Sequence, residues 1–405
     1  MPDRSRIAER LDALWEIARG PGGGADRPAF SEAEARAMLL VAGWAQEAGL
    51  QPGVDEHGNL WALPPEGSGS LVTSGSHVDT VPDGGRYDGA LGTVLGLELV
   101  EDLRTAGSAV APALLVCAAE EAPRFGAGTM GSRLLVGALE ESALDHLYDA
   151  DGISAAAARA SYLDDLDELA TVEPPLQRLR AHAEVHVAQR RALREIGVVT
   201  RVASPRRFEV EFEGQAGHAG EVAMTDRHDA LAAAAELVLA VERAAGAEPA
   251  ETVATVGTIS VLPGAVSVIP GRARLGLDVR GVSVESLDRL DAAIRGAVDE
   301  ISARRGVGAE VRLVRDGRPV ALDASLAAAA LARAPELGIV ATETWSGAGH
   351  DAQHLAALMP SLLLFVPLHG GQSHTPQEGA DMDEIVQAAM LAASVLRDAG
   401  RSGPV

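Results

Sequence analysis

The chain has 405 residues, enough for two or three domains, and 47% hydrophobic with 23% charged content is that of a folded globular protein rather than a disordered one. Its formal charge of −24 repels nucleic acid and anionic membrane surfaces, so neither is expected as a partner. All 34 basic residues are arginine, which removes Schiff-base lysines, a P-loop lysine and a carbamylated-lysine metal bridge from the available chemistry.

In chain order, MPDRSRIAERLDALWEIARG predicts an amphipathic helix with Ile7, Leu11, Leu14 and Ile17 on one stripe. It lacks the apolar core and cleavage site of a signal peptide. No apolar run reaches the length of a membrane span. SEAEARAMLLVAGWAQEAGL opens on Ser31 and Glu34, a capping-box pair, and predicts a helix. LVTSGSHV reads as a strand, YDGALGTVLGLELVEDLRTAG as a helix and APALLVCAAEE as another strand. Cys117, the single cysteine, has no internal partner, reads as a small core residue and fits a reducing cytoplasm. In AEVHVAQ, Val185 and Val187 alternate with Glu184 and His186, the pattern of a half-buried strand.

Residues 205–314 change rhythm. RRFEVEFEGQ alternates strictly, DRHDALAAAAELVLAVERAAG is helical, and TVATVGTISVLPG with GRARLGLDVRGV suggests a hairpin. A helix with Leu287, Leu290, Ile294, Val298 and Ile301 at helical spacing follows, and GAEVRLVRD closes as a strand. This βαββαβ order predicts a ferredoxin-like α+β domain at 205–314, inserted between catalytic segments 1–204 and 315–405. The flanking segments alternate strand and helix. They predict an α/β catalytic domain with a mostly parallel mixed sheet and ligands at the carboxyl ends of its strands.

The polar residues that follow those apolar strands are of one chemical kind. His77, Asp79 and Asp88 lie in SGSHVDTVPDGGRYDG, Glu120 and Glu121 end another strand, and His374 lies in GQSHTPQE after LLLFVPLHGG. With His186 they offer three histidines and, in Asp88 and Glu121, two carboxylates as ligands, one too many for a single tetrahedral ion. They suit two ions sharing a carboxylate, which leaves Glu120 free as a base.

On these residues the chain resembles the amidase, hydantoinase/carbamoylase family of the di-metal aminoacylase/carboxypeptidase clan. That family includes N-carbamoyl-L-amino acid hydrolases, allantoate amidohydrolases and β-ureidopropionases. The matching stretches, in order, are GSHVDTVPDGGRYDGALG, EEAPRFGAGTMGSR, IGVVTRV, GQAGHAGEVAMTDRHDAL, VSVIPGRARLGLDVR, SGAGHDAQ and GGQSHTPQE. The resemblance implies the di-metal exopeptidase-like fold with a lid/dimerisation domain, a cytoplasmic homodimer, and two divalent metal ions per subunit (zinc, manganese, cobalt or nickel). It implies that His77, Asp88 and His186 hold one ion and Asp88, Glu121 and His374 the other. Asp79 then supports His77, Glu120 is the general base, and His218 reaches the partner subunit's site to steady an oxyanion. Gln189, Ser267, Arg280 and Gly349 fall to substrate binding, Arg280 gripping a carboxylate.

The reaction so implied is hydrolysis of a linear amide or ureido bond in a small carboxylate-bearing substrate, an N-carbamoyl-L-amino acid first. An aminoacylase or dipeptidase, a specialised-metabolite amidohydrolase, and an inactive metal-binding or scaffold homologue are the rival readings. Ala188, Arg190 and Arg191 stand where the family carries Glu and Gly-Pro, and Ser267 where it carries Asn, so the substrate pocket departs from the pattern. Alignment on EVHVAQ selects His186 as the ligand, whereas spacing counted back from IGVVT selects His182.

Overall fold

The computed structural model describes residues 2–65, 69–105, 110–190 and 193–399; Arg191 lies outside them. The chain forms two compact units, one of residues 1–200, 321–344 and 349–405, the other of 201–320 and 345–348. The expected insertion at 205–314 is thus extended at both ends, and the short segment 345–348 joins it. There Ala203 N–H donates to the Ser346 carbonyl at 2.8 Å and Arg280 to the Gly347 carbonyl at 3.2 Å.

The first unit begins with α1 (Arg4–Trp15), α2 (Glu32–Glu47), β1 (Gln51–Val54), β2 (Leu60–Leu63) and β3 (Leu71–Ser74). It continues through α3 (Ala90–Thr105), β4 (Ala111–Val116), α4 (Met130–Leu135), α5 (Ala155–Asp164), β5 (Ala170–Thr171), β6 (Leu179–Val187) and β7 (Ile196–Val202). The second unit holds β8 (Arg206–Glu213), β9 (Gly217–His218), α6 (Ala230–Gly246), β10 (Val253–Leu262), β11 (Val268–Ile269), β12 (Arg272–Arg280), α7 (Val284–Arg305) and β13 (Gly308–Asp316). The chain returns through β14 (Val320–Ala321), α8 (Ala324–Glu336), β15 (Ala341–Ser346), α9 (Asp351–Leu355), β16 (Ser361–Val366) and α10 (Met382–Ala399).

Among the described residues ten strands form one sheet in the order β14-β7-β16-β6-β3-β4-β2-β1-β5, with β15 paired to β7. Its centre, β16-β6-β3-β4, is parallel throughout, so four neighbouring strands end on the same edge. A parallel strand covered on both faces must bury every side chain. In β6 all but Arg180 are buried, which corrects the half-buried strand expected from the alternation. Ala181, Ala183, Val185 and Val187 join the large core shared with α3 and α10.

The polar residues of β6 therefore need partners inside the protein, since a buried polar group without one costs a few kcal/mol. His182 Nδ1 lies 3.0 Å from Thr73 Oγ1, and its Nε2 has no partner. Burial lowers its pKa to about 3. With the unfolded value near 6.5, the folded chain binds fewer protons between these limits, so its stability is complete above pH 6.5 and declines as pH falls below it. At pH 5 the loss is about 2 kcal/mol. His182→Asn is expected to flatten that decline: its thermal midpoint should fall less than wild type's between pH 7.5 and 5, and parallel curves would contradict the assignment.

The second unit is a four-stranded antiparallel sheet in the order β10-β12-β8-β13 beside α6 and α7, the βαββαβ arrangement. Leu287, Leu290, Ile294, Val298 and Ile301 of α7 are all buried against Phe208, Val210 and Phe212 of the sheet's core. No helix among the described residues is long and apolar enough to cross a membrane.

Candidate metal centre

The four parallel strands deliver their polar residues to one edge. His77 follows β3, Glu120 and Glu121 follow β4, His186 is the penultimate residue of β6, and His374 follows β16. Asp88 enters from the loop before α3. The next residue, Gly89, has φ +64°, and a Cβ there would stand 2.3 Å from His77 Cε1, so only glycine lets this loop close over the ring.

Two groups of ligand-type atoms form and share Asp88. His77, Asp88 and His186 make the first, Asp88, Glu121 and His374 the second. In the first, His77 Nε2 lies 3.4 Å from His186 Nε2 and 3.6 Å from Asp88 Oδ1, and His186 Nε2 lies 3.2 Å from the same oxygen. In the second, His374 Nε2 lies 3.3 Å from Asp88 Oδ2 and 3.5 Å from Glu121 Oε1. The two carboxylate oxygens of Asp88 thus face different groups.

These separations fit metal ions. Ligands about 2.0–2.1 Å from a tetrahedral cation stand about 3.3 Å from one another. The tautomers agree. His77 Nδ1 faces the Asp79 carbonyl at 3.1 Å and its carboxylate at 3.3 Å, and His186 Nδ1 faces the Val187 carbonyl at 3.2 Å. With Nδ1 of each ring directed at these oxygens, the two Nε2 atoms are left to converge with Asp88 Oδ1, an arrangement that suits a cation.

The electrostatics follow. Burial disfavours a charged His77, yet Glu120, Asp79 and Asp88 outweigh it and hold its pKa well above the usual value. Burial likewise opposes an ionised Asp88, but His186, His374 and His77 keep its pKa well below the usual carboxylate value. Burial, with Asp88 beside it, raises Glu121 to about 7. Burial raises Glu120 well above the ordinary value, His77 pulling the other way and Glu121 and Asp351 adding to the rise.

Asp79 does more than face His77. Its two oxygens accept the Glu120 and Glu121 N–H groups at 3.0 and 2.9 Å, pinning the turn that presents both glutamates. Ala119, one residue earlier, has φ 53°, and its N–H donates to Glu34 Oε1 at 2.8 Å. Glu34, expected to accept the Ser31 N–H at its helix cap, does not, that N–H going to the Pro28 carbonyl: its other oxygen accepts Phe30 N–H, and the residue ties α2 to this turn. Glu120 Oε2 lies 3.8 Å from His77 Nε2 and belongs to neither ligand group.

Of the two histidines weighed in the sequence, the preferred His186 enters a ligand-type group and His182 does not. Gln189 lies at the centre, its Nε2 3.0 Å from Asp88 Oδ2 and 3.2 Å from His374 Nε2. Gly349 precedes His350, and a Cβ there would meet only Gln353 atoms at 3.6 Å or more. His218, Ser267 and Arg280 belong to the second unit. His218 is exposed on β9, and its Nδ1 accepts Gly220 N–H at 3.1 Å, leaving Nε2–H as an outward donor. The exposed Ser267 accepts Ala219 N–H at its carbonyl, and Arg280 Nε donates to Asp278 at 2.8 Å.

Several supporting residues carry no periodic signal. Glu378 accepts the Tyr87 and Asp88 N–H groups at 2.6 and 3.0 Å, and Ser373 Oγ donates to Asp88 Oδ2 at 2.8 Å. Both sit in the GGQSHTPQE stretch already marked by His374. Glu184, His186 and His350 form a third ligand-type group, but Glu184 already accepts from Ser76 Oγ and Ala352 N–H at 2.7 and 2.8 Å. His350 packs edge-on against His186 with centroids 4.6 Å apart, kept neutral by burial and by that neighbour.

Known proteins resemble this chain over most of its length. Residues 73–398 match peptidase family M20/M25/M40. An N-carbamoyl-L-amino acid amidohydrolase of Geobacillus stearothermophilus is 34% identical over 393 residues, covering 95% of each chain. A ureidoglycolate hydrolase of Oryza sativa subsp. japonica is 32% identical over 96% of this chain and 84% of its own. The crystal structure of an amidase of the hydantoinase/carbamoylase family from Burkholderia multivorans superposes with a TM-score of 0.86 at 31% identity, over 100% of this chain and 99% of that one. With its described fold and a family match that spans most of its length, the chain belongs to peptidase family M20/M25/M40.

Proposed function

We propose that the protein hydrolyses a linear amide or ureido C–N bond in a small carboxylate-bearing substrate, most directly an N-carbamoyl-L-amino acid. The observation that carries this is the pair of ligand groups meeting on Asp88 with Glu120 beside them. The relatives named above act by name on carbamoyl and ureido compounds, which favours this bond over a peptide.

His77, Asp88 and His186 would hold one divalent ion and Asp88, Glu121 and His374 a second, zinc, manganese, cobalt or nickel being compatible with nitrogen and oxygen ligands. Bound there, such ions lower the pKa of water and polarise a carbonyl. Glu120 takes the attacking water's proton and returns it to the leaving nitrogen. His218 serves the site of a second copy in a homodimer, where its free Nε2–H donates to the developing oxyanion, a contact worth about 3 kcal/mol. Arg280 is assigned to the substrate carboxylate, and Gln189, Ser267 and Gly349 are further substrate-binding candidates.

A panel of N-carbamoyl, N-acetyl and N-formyl amino acids and dipeptides tests the reading. The metal-loaded protein should release ammonia from N-carbamoyl substrates and exceed its rate on every other class by at least about tenfold. A dipeptide or N-acetyl preference would overturn it.

A further inference from the structure

Beyond Glu121 the first unit contains a cavity of roughly 700 Å³, bounded by α2's entry, the loop at Thr80 and Pro82, the Pro123–Arg124 turn and α5. A carbamoyl group fills only a small part of such a volume, which is within the range that encloses a whole ligand. Phe30, Pro28, Ile153 and the α5 alanines Ala157 and Ala158 supply apolar wall.

Its charges are unequal. Arg124 is the single cation of the lining, and it is committed: it donates to the Ala29 and Phe30 carbonyls at 2.7 and 2.9 Å and twice to Asp149 Oδ2 at 3.2 Å. Asp149 also accepts the Asp151 and Ile153 N–H groups at 3.0 and 2.9 Å. Glu32, Asp151 and Asp165 line the exposed mouth and, among the described residues, form no ion pair. A cationic tip at the end of an apolar stem is rewarded there, and an anionic one repelled.

We propose that this cavity is the enzyme's specificity pocket, taking a substrate substituent with an apolar stem and an ammonium or guanidinium end. The inference rests on the hydrolase reading above, because Glu121 places the cavity one residue from the proposed base. The same chemistry could arrive as an amino-acid side chain or as an N-acyl chain, and the test separates the two.

The experiment measures kcat/KM of the metal-loaded protein on N-carbamoyl derivatives of glycine, norleucine, lysine and glutamate, and on N-(6-aminohexanoyl)glycine. Wild type should prefer one cationic substrate over the glutamate derivative by at least about tenfold, and the arm that gains identifies the source. Ala157→Trp, an exposed α5 position, should penalise that long substrate about tenfold more than N-carbamoylglycine. Asp151→Asn with Asp165→Asn should reduce the cationic substrate's advantage over an uncharged one of equal length. Equal losses on short and long substrates in Ala157→Trp, or no preference for a cation in wild type, overturn the pocket while N-carbamoylglycine turnover leaves the functional reading standing. No turnover of any of these compounds by wild type overturns both.

Discussion

Glu120→Gln should lower kcat on an N-carbamoyl substrate by about 10²–10⁴-fold while bound metal and KM stay near wild type. The change is nearly isosteric, and the parts that aim this side chain are backbone bonds the substitution leaves in place: Glu120 N–H to Asp79, and Thr129 N–H to the Glu120 carbonyl at 2.6 Å. Only the capacity to accept and return a proton is removed. Glu121→Gln is the contrasting variant, because Glu121 Oε1 faces His374 at 3.5 Å within a ligand group and its loss should show in metal content. Near-normal turnover in Glu120→Gln would remove the residue from the mechanism.

Asp88→Ala should abolish both metal affinity and turnover, since Oδ1 faces His77 and His186 while Oδ2 faces His374. No other described residue joins both the His77–His186 group and the Glu121–His374 group. His186→Ala should cost one ion per chain. His182→Ala, four residues back on β6 and so about 13 Å along the strand, should keep both ions and lose only stability. Elemental analysis of the three purified variants reads these outcomes directly. An ion lost from His182→Ala, or two retained by Asp88→Ala, would redraw the ligand set.

Much of this was legible in the sequence because the candidate ligands sit where chain direction predicts. A parallel strand exposes polar residues at its carboxyl end, so His77, Glu120, Glu121 and His374 could be singled out after apolar runs. The hydrophobic stripe of α7 was equally readable, its period matching the face it buries. Glu34 and Glu184 were not. Each has the local setting of an ordinary residue, a helix's first turn and an alternating strand, and each is fixed by groups 85 and 168 positions away. Asp79 was legible as a neighbour of His77 but not as the peg for the Glu120–Glu121 turn, which depends on strands β3 and β4 lying side by side. The cavity walls, drawn from α2, α5 and two loops, have no sequence period at all.

The two-ion account is tested most directly by titrating metal-free protein with manganese or zinc while following bound metal by elemental analysis and ammonia release from an N-carbamoyl-L-amino acid. The account predicts uptake of two ions per chain, with full turnover only when the second is bound. Full turnover at one ion per chain, or binding of both without any hydrolysis, would contradict it.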